Sequence, residues 1–419
     1  MSIEENKKQN EGQAFRSLRD SKSHSPVSLE SELNKIDWLR LYATPSIGIM
    51  TFKHLLAHFK TPSEAINNVH DFSKKLGRNK PIEVPSVEWA QRYMERCHKA
   101  GVFLVAAFEK EYPRRLLEID YPAILHVKCG KEKLQQNFLN LDSFAVIGAR
   151  NASIQGVSFA TKITTDLCVA YPHDLTIVSG LARGIDSAAH KAALTTGTIA
   201  VVGCGVDVVY PPENKDLYDK IAENGAIVSE IMLGREPRPQ SFSYRNRIIS
   251  GMSLGVLIVE AAMKSGSLTT ARYAAEQGRD VFAVPGHPYD VRAHGTNYLI
   301  RNGAQLVENA QQIVEHINTR ERYVYSQSQL DDAYDQVQEN LQVINDEEEY
   351  VKTFRQQLLE SLSHAPISIN EIAKAALCAD GSANSLSQQI DVRYIQSALA
   401  ELELSGLIEI DGNVVRRID

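Results

Sequence analysis

The chain has 419 residues, of which 43% are hydrophobic and 23% are charged, and it carries a formal net charge of −7 at pH 7. This length is enough for two or three folded domains, and the composition excludes a chain that is disordered or fibrous throughout. The acidic total argues against a uniformly basic nucleic-acid-binding protein, although it leaves a local basic patch open.

Cysteine usage and hydropathy bear on the cellular compartment. The five cysteines are scattered and form no C-x-x-C pair, which excludes a zinc ribbon and a thioredoxin-type motif and suits a reducing cytosol. No apolar run approaches the roughly 18 residues of a membrane helix. The first residues, MSIEENKKQNEGQ, lack the apolar segment of a secretory signal. We expect a cytoplasmic protein with no membrane partner, no metal and no cofactor.

The N-terminal third is predicted to be a polar tail followed by a helical domain. Residues 1–30 contain few large apolar side chains and are expected to be disordered. Residues 31–99 show helical spacing of apolar residues around a Pro-Ser-Ile-Gly turn at 45–48, and 61–64 (Thr-Pro-Ser-Glu) has the signature of a helix start. Short helices joined by a glycine turn are compatible with a SAM-like or helix-hairpin-helix module, which can contact a DNA backbone through turn amides. We favour a small helical interaction domain over such a DNA contact.

Residues 100–322 are predicted to form a Rossmann-like, doubly wound α/β domain. Six short, mostly β-branched runs alternate with helical stretches, and they lie at 144–147, 175–178, 199–202, 226–228, 256–259 and 281–284. Near-continuous apolar strands separated by helices indicate a parallel sheet that is covered on both faces. Ligands of such sheets bind at the carboxyl ends of the strands.

The C-terminal part holds most of the excess acid. Residues 31–322 contain 34 basic and 30 acidic residues, whereas 323–351 contain eight acidic and no basic residues and are predicted to be a linker. In 352–419, three helical patterns precede a hairpin pattern, which predicts a winged helix. The third helical pattern carries more acid than base, including Glu401 and Glu403, so we favour a protein contact for this domain and leave DNA binding open.

Turns rich in glycine, serine and threonine follow four of the predicted strands. Backbone amides at such turns, the start of a helix and arginine side chains together form phosphate sites. The candidate phosphate-binding residues of these turns are Gly148, Arg150, Ser179, Gly180, Arg183, Gly184, Lys264, Ser265, Gly266 and Ser267. The alternative is that the glycines only make tight turns and the arginines pair with acids. No G-x-G-x-x-G and no Walker A pattern fits these turns.

The segment 235–247 is basic and aromatic. It carries four arginines and two aromatic residues against one acid, a pattern that suits single-stranded nucleic acid because bases stack while phosphates pair. Its candidate binding residues are Phe242, Arg245, Asn246 and Arg247. The alternative is the basic start of a surface helix. Asp186 and His190 lie four residues apart on a predicted helix, but such pairs are more often structural than catalytic, and we predict no catalytic residue.

Five segments resemble the DNA-processing protein A (DprA, also called Smf) family, namely VIGARNASIQG (146–156), VSGLARGIDSAAHKAAL (178–194), IAVVGCGVDVVYPPEN (199–214), the stretch from RNRIIS to AVPG (245–286) and GTNYLIRNGAQLVE (295–308). The resemblance implies a protein that binds and protects incoming single-stranded DNA in natural transformation and helps to load the RecA recombinase. It also implies a homodimer and no established catalytic activity. The implied dimer contact includes Asn297, Tyr298, Leu299, Ile300 and Leu306.

An enzyme of the LOG type is the alternative function. These Rossmann-like nucleotide phosphoribohydrolases also carry a glycine-rich turn that opens a helix, with Arg and Glu performing the chemistry. The comparable segment here is 265–269, and Glu260 and Arg183 would be the reacting groups. The P-G-G-x-G-T motif of those enzymes is absent, so the DNA-binding hypothesis is preferred.

Overall fold

The computed structural model describes residues 35–78, 80–324, 355, 358–359, 361–362, 365–369, 371–372, 392–411 and 414–418. The predicted tail at 1–30 and nearly all of the predicted linker at 323–351 lie outside these residues. Within the described residues, no helix is long and apolar enough to cross a membrane.

The N-terminal residues form a helical layer, as predicted. Its helices are residues 35–42 (α1), Ile49–Phe59 (α2), Pro62–Lys75 (α3) and Val87–Lys99 (α4). Helix α3 begins at the predicted start signal, because the Thr61 hydroxyl accepts a hydrogen bond from the Glu64 amide at 3.2 Å and caps the helix. The apolar residues of the helical pattern form a buried cluster between α1, α2 and α3 that includes Leu41, Phe52 and Leu55.

A nine-stranded sheet forms the centre of the molecule. Its strands are Val102–Ala106 (β1), Ile124–Cys129 (β2), Asp142–Ile147 (β3), Leu175–Ser179 (β4), Thr198–Val201 (β5), Ala226–Ser229 (β6), Gly255–Ile258 (β7), Asp280–Ala283 (β8) and Gln305–Leu306 (β9). The six predicted strands correspond to β3–β8. Strand β2 pairs antiparallel with β6, and β1 pairs antiparallel with β2 at that edge of the sheet. Strand β9 pairs parallel with β8 at the other edge. None of these three strands was predicted.

The strand order β1-β2-β6-β5-β4-β3-β7-β8-β9 contains one reversal. The chain moves from β3 through β4 and β5 to β6 in one direction and then returns to β7 on the other side of β3. A crevice therefore opens between the carboxyl ends of β3 and β7, which is where ligands of such sheets bind.

Helices pack on both faces of this sheet. They are Lys131–Gln135 (α5), Ile154–Ala170 (α6), Ile185–Ala192 (α7), Lys215–Asn224 (α8), Pro239–Met252 (α9), Gly266–Glu276 (α10), His294–Arg301 (α11) and Ala310–Val324 (α12). The strand side chains divide between separate buried clusters on the two faces. The mixed sheet with a Rossmann-like parallel body agrees with the predicted fold class.

The described C-terminal residues form Ile367–Ser368 (β10), Val392–Ser405 (α13), Ile408–Asp411 (β11) and Val414–Arg417 (β12). The last two strands pair antiparallel as the predicted hairpin, and β10 pairs with β12. Helix α13 ends just before Gly406, which adopts a φ of 77°. Much of the predicted winged helix lies outside the described residues, and the winged-helix assignment stays a prediction.

Helix α13 packs on the N-terminal helix α2 and presents Glu403 to it. Glu403 is only 3% exposed; its carboxylate accepts hydrogen bonds from the Gly48 amide, at 3.1 Å, and from the Thr51 hydroxyl. The neighbouring Leu404 belongs to the apolar cluster of the N-terminal helices. This acidic residue of the third predicted helix therefore serves a contact within the chain.

Candidate functional site

A large cavity opens at the crevice between β3 and β7. It has a volume of about 640 Å³, and a smaller cavity of about 260 Å³ adjoins it because Arg150, Phe242 and Arg245 line both. We call the two together the switch-point cavity. The turns that follow β3, β4, β5 and β7 and the first turns of α9 and α10 form its walls. The structure thus places a cavity where the order of the strands predicts a ligand site.

Most of the predicted site residues meet in the switch-point cavity. Those that line one or both parts of it are Gly148, Arg150, Gly180, Arg183, Phe242, Arg245, Asn246, Lys264, Ser265, Gly266 and Ser267. Three other predicted residues, Ser179, Gly184 and Arg247, are not among its lining residues. Tyr210, Thr270 and Arg292 also line it, and none of the three was predicted as a site residue.

Arg245 is the buried cation of the cavity. It is 6% exposed, and its guanidinium donates hydrogen bonds to the backbone carbonyls of Gly180, at 3.0 Å, and Val201. Within the described part of the chain its Nε has no hydrogen-bond partner. Burial lowers the pKa of Arg245 to about 10, and the nearby Arg150 lowers it too, yet the side chain stays protonated at neutral pH.

Arg150, Arg183 and Lys264 are exposed or partly exposed cations of the cavity. The Arg183 side chain is 57% exposed and forms an ion pair of 3.5 Å with Glu213, which is equally exposed. A pair as exposed as this contributes little stability, so its guanidinium can turn to a phosphate at small cost. Arg150 and Lys264 are also exposed. Arginine can bind phosphate with two parallel hydrogen bonds, which gives the rim the chemistry for a nucleic-acid backbone.

Two aromatic rings line the cavity beside these cations. The ring centroids of Tyr210 and Phe242 are 5.2 Å apart, and the Arg150 guanidinium carbon lies 5.8 Å from the Phe242 centroid. Tyr210 is 40% exposed, so its ring is open to a ligand. Exposed rings among cations can stack unpaired bases. A signal for Tyr210 was present in the sequence, because the YPPEN segment closely follows the strand now labelled β5.

The Asp186 carboxylate accepts hydrogen bonds from backbone amides that were predicted to bind a phosphate. Its carboxylate accepts hydrogen bonds from the amides of Ala182, at 3.3 Å, Gly148 and Gly180. Burial raises the pKa of Asp186, whereas the charge of Arg245 and these three amides act in the opposite direction. Because the amides already have an acceptor, cation side chains are left as the main phosphate donors on this side of the cavity.

His190 is a buried residue that bonds within the fold. Its Nδ1 lies 2.7 Å from the Thr198 hydroxyl, the residue is fully buried, and burial lowers its pKa to about 3. The ring is therefore neutral at physiological pH and out of reach of a ligand. This position agrees with a structural role for His190, and the absence of a catalytic residue stays a prediction. In the described residues, no group of three His, Cys, Asp or Glu side chains could hold a metal ion.

Comparison with known proteins identifies the family. Residues 103–318 match the family described as DNA recombination-mediator protein A, and residues 32–95 match the DprA-like N-terminal HHH domain. The chain belongs to the DNA recombination-mediator protein A family. The second match also agrees with the helix-hairpin-helix interpretation of the N-terminal helices.

Individual relatives from this family are similar over long stretches. The protein Smf of Synechocystis is 35% identical over 286 residues, which cover 66% of this chain and 71% of the relative. The DNA processing protein DprA of Streptococcus pneumoniae is 44% identical over 206 residues, 48% of this chain and 70% of the relative. A solved structure of that pneumococcal protein superposes with a TM-score of 0.55 and 34% identity, covering 66% of this chain and 95% of the other.

Three residues that the sequence analysis had placed in the site of this DprA-family protein hold structural positions instead. The Ser179 hydroxyl is fully buried and donates a hydrogen bond to the Val146 carbonyl at 2.7 Å, because the residue ends a central strand. Gly184 precedes α7 and packs against the turn that follows β3. Arg247 is 3% exposed and forms an ion pair with Glu230. The Ser179 and Arg247 side chains are buried and have partners within the fold, and Gly184 has no side chain, so a ligand contact by these three residues stays a prediction.

Gly184 needs to be glycine, and replacement by alanine is expected to destabilise the protein by about 3 kcal/mol or more. Its φ is +75°, and an added Cβ would lie 2.3 Å from the Ala149 carbonyl oxygen. Urea unfolding of Gly184→Ala measures the loss. Gly266→Ala is the matched control, because nothing lies within 4 Å of its added Cβ. A Gly184→Ala protein as stable as the control would contradict this packing.

The residues that the family resemblance assigned to a dimer contact lie at one edge of the sheet, on α11 and β9. Tyr298 is 41% exposed and Leu306 is 39% exposed. Leu299 and Ile300 are partly buried, with Leu299 packed against the core of the sheet. Asn297 bonds both backbone groups of Gly286, at 3.2 and 2.8 Å, and so holds a loop of its own chain. The dimer contact stays a prediction.

Proposed function

We propose that the chain binds single-stranded DNA in the switch-point cavity. The observation that carries this proposal is one cavity that combines the buried cation Arg245, the rim cations Arg150 and Arg183, and two aromatic rings. Phosphates would pair with the rim cations while a base stacks against Tyr210 or Phe242. The names of the relatives, as DNA processing proteins, support the same class of ligand.

The size and lining of the cavity favour a single strand over a duplex. A space of about 640 Å³ suits one or two nucleotides. The bases of a duplex, in contrast, are stacked and paired in the interior of the double helix and cannot enter the cavity. An unpaired base can reach the rings in the cavity without the breaking of base pairs. We therefore expect single-stranded DNA to be preferred.

The wider role is proposed from the family. In natural transformation, the protein would protect incoming single-stranded DNA in the cytoplasm and help to load the RecA recombinase. It would act as a homodimer through the α11–β9 edge, where exposed Tyr298 and Leu306 supply apolar area. The acidic linker and the C-terminal domain would serve contacts with proteins, because their negative charge weakly repels DNA.

We propose a binding protein rather than an enzyme. The LOG-type alternative would use Glu260 as a reacting group. Here the Glu260 carboxylate accepts hydrogen bonds from the Ser153 amide, at 2.9 Å, and the Ser153 hydroxyl, at 2.5 Å, and thereby holds the start of α6. A carboxylate held in this way has a structural task, so the hydrolase alternative is not favoured.

Binding of labelled oligonucleotides over a salt series tests the proposed function. We expect the wild-type protein to bind a single-stranded oligonucleotide at least about tenfold more tightly than the matching duplex, because an unpaired base pays no unpairing cost. The logarithm of affinity should fall with the logarithm of salt by about 0.7 per phosphate contact. Equal affinity for the two forms, or an affinity independent of salt, would contradict the proposal.

A further inference from the structure

Arg247 lies two residues from Arg245 on α9 but belongs to a different environment. Residues two apart on a helix project about 200° apart, so the two guanidiniums point to nearly opposite sides. The Arg247 guanidinium pairs with the Glu230 carboxylate and donates to the Asp120 carbonyl at 2.6 Å. It also lies 4.1 Å from the centroid of the Tyr244 ring. Arg247 thus anchors the far side of α9 to the body of the protein.

The N-terminal helical layer reaches the same anchor. Lys53, on α2, forms an ion pair of 3.0 Å with the Asp120 carboxylate, and the Tyr42 hydroxyl donates a hydrogen bond to the Glu230 carbonyl. Asp120 is therefore shared, because its carboxylate bonds Lys53 and its carbonyl bonds Arg247. We call Lys53, Asp120, Glu230 and Arg247 the Arg247 network.

The opposite side of α9 forms a wall of the switch-point cavity. Phe242, Arg245 and Asn246 project into it from about one turn of helix. A helix segment this short moves as one piece, so a shift at Arg247 would displace Phe242 and Arg245 as well. Displacement of about 1 Å is enough to weaken a bidentate or stacked contact.

We propose that the Arg247 network is a positioning device, through which the N-terminal domain sets the affinity of the cavity for single-stranded DNA without touching the DNA. This inference rests on the proposed function. It differs from the sequence-based prediction for Arg247, which made it a direct DNA contact. It also gives the N-terminal layer a part in binding, although none of its residues is among those that line the cavity.

Lys53→Met tests the inference with a mild change. The substitution removes the charge that holds Asp120 and keeps the length of the side chain, and Asp120 is 41% exposed and can be solvated. Lys35→Met is the matched control. Lys35 also joins the N-terminal helices to the sheet domain, by a 2.7 Å pair with Glu109 and a hydrogen bond to the Leu104 carbonyl, but it does not bond to α9.

The expected result is that Lys53→Met weakens single-stranded DNA binding about threefold or more, as mutations along a coupled network do, while Lys35→Met leaves it unchanged. The salt slope of Lys53→Met should equal that of the wild type, because no phosphate contact is lost. Amide hydrogen exchange of residues 239–247 should become faster in Lys53→Met alone. Thermal unfolding of both variants reports any general loss of stability.

Three results would overturn the inference. They are unchanged binding in Lys53→Met, equal weakening in both variants, or a salt slope that falls by about 0.7 in Lys53→Met, which would make Lys53 a phosphate contact. Failure of the proposed function is recognised separately. The wild-type protein would then show no preference for single-stranded DNA, and replacing Arg150 and Arg183 by alanine would leave binding unchanged.

Discussion

Replacing both Arg150 and Arg183 by alanine is expected to weaken single-stranded DNA binding by about a hundredfold, since each lost hydrogen bond to a charged group is worth about 1.5 kcal/mol. Both side chains lie at the rim of the cavity and are accessible. The salt dependence of binding should fall by about 1.4 in the double variant, because two phosphate contacts are removed. Fluorescence anisotropy over a salt series measures both quantities.

The control for this double variant is Arg272→Ala. Arg272 is 58% exposed and lies 3.7 Å from Glu276, which closely matches the exposure and pairing of Arg183. It is not among the lining residues of the switch-point cavity. We expect all these variants to unfold like the wild type, since exposed pairs contribute little stability. A double variant that binds as tightly as Arg272→Ala would refute the assignment of the rim.

Arg245→Met is expected to lower the free energy of unfolding by about 3 kcal/mol, because it leaves the buried Asp186 without its opposing charge. The two side chains face each other across Gly180, where an added Cβ would lie 2.7 Å from Arg245 and 2.8 Å from Asp186. Binding of single-stranded DNA should weaken as well, since the cavity loses its buried cation. Urea unfolding and oligonucleotide binding measure the two effects.

A second substitution separates stability from binding. Asp186→Asn keeps an oxygen that can accept from the backbone amides but removes the negative charge. In the Arg245→Met background, we expect it to restore at least about 1 kcal/mol of stability and none of the binding. If Asp186→Asn had the same effect on stability with and without Arg245, the two charges would not be coupled. The proposed charge interaction between Arg245 and Asp186 would then be wrong.

The repeating patterns of the sequence were enough for the body of the fold. Six β-branched runs alternating with helices predict the strands now labelled β3–β8, because buried parallel strands need apolar side chains on both faces. Strands β1 and β2 were missed although they are also apolar, since their antiparallel pairing on an edge of the sheet requires no intervening helix. The two-residue strand β9 is too short to leave a pattern.

The site was predictable in outline, because the carboxyl ends of parallel strands meet at one edge. Arg150 and Arg183 follow neighbouring strands, and both line the switch-point cavity. The pattern could not separate Arg245 from Arg247, since both belong to the same basic segment. Their roles depend on the direction of each side chain from α9 and on partners far away in sequence, namely Gly180 for one and Glu230 for the other.

The amino-acid sequence by itself determined the class of this protein. Its local patterns specify a parallel sheet, its turns place arginines at the ends of strands, and its motifs place it in the DprA family. Only the tertiary structure decided which groups remain for a ligand. The Asp186 carboxylate accepts from the backbone amides of the turns, the Glu260 carboxylate accepts from the residue that starts α6, and the Arg247 guanidinium pairs with Glu230. The physical reason is that a buried polar group whose hydrogen bonds are already made within the protein cannot also bond to DNA. Which groups make such bonds depends on partners that only folding brings together.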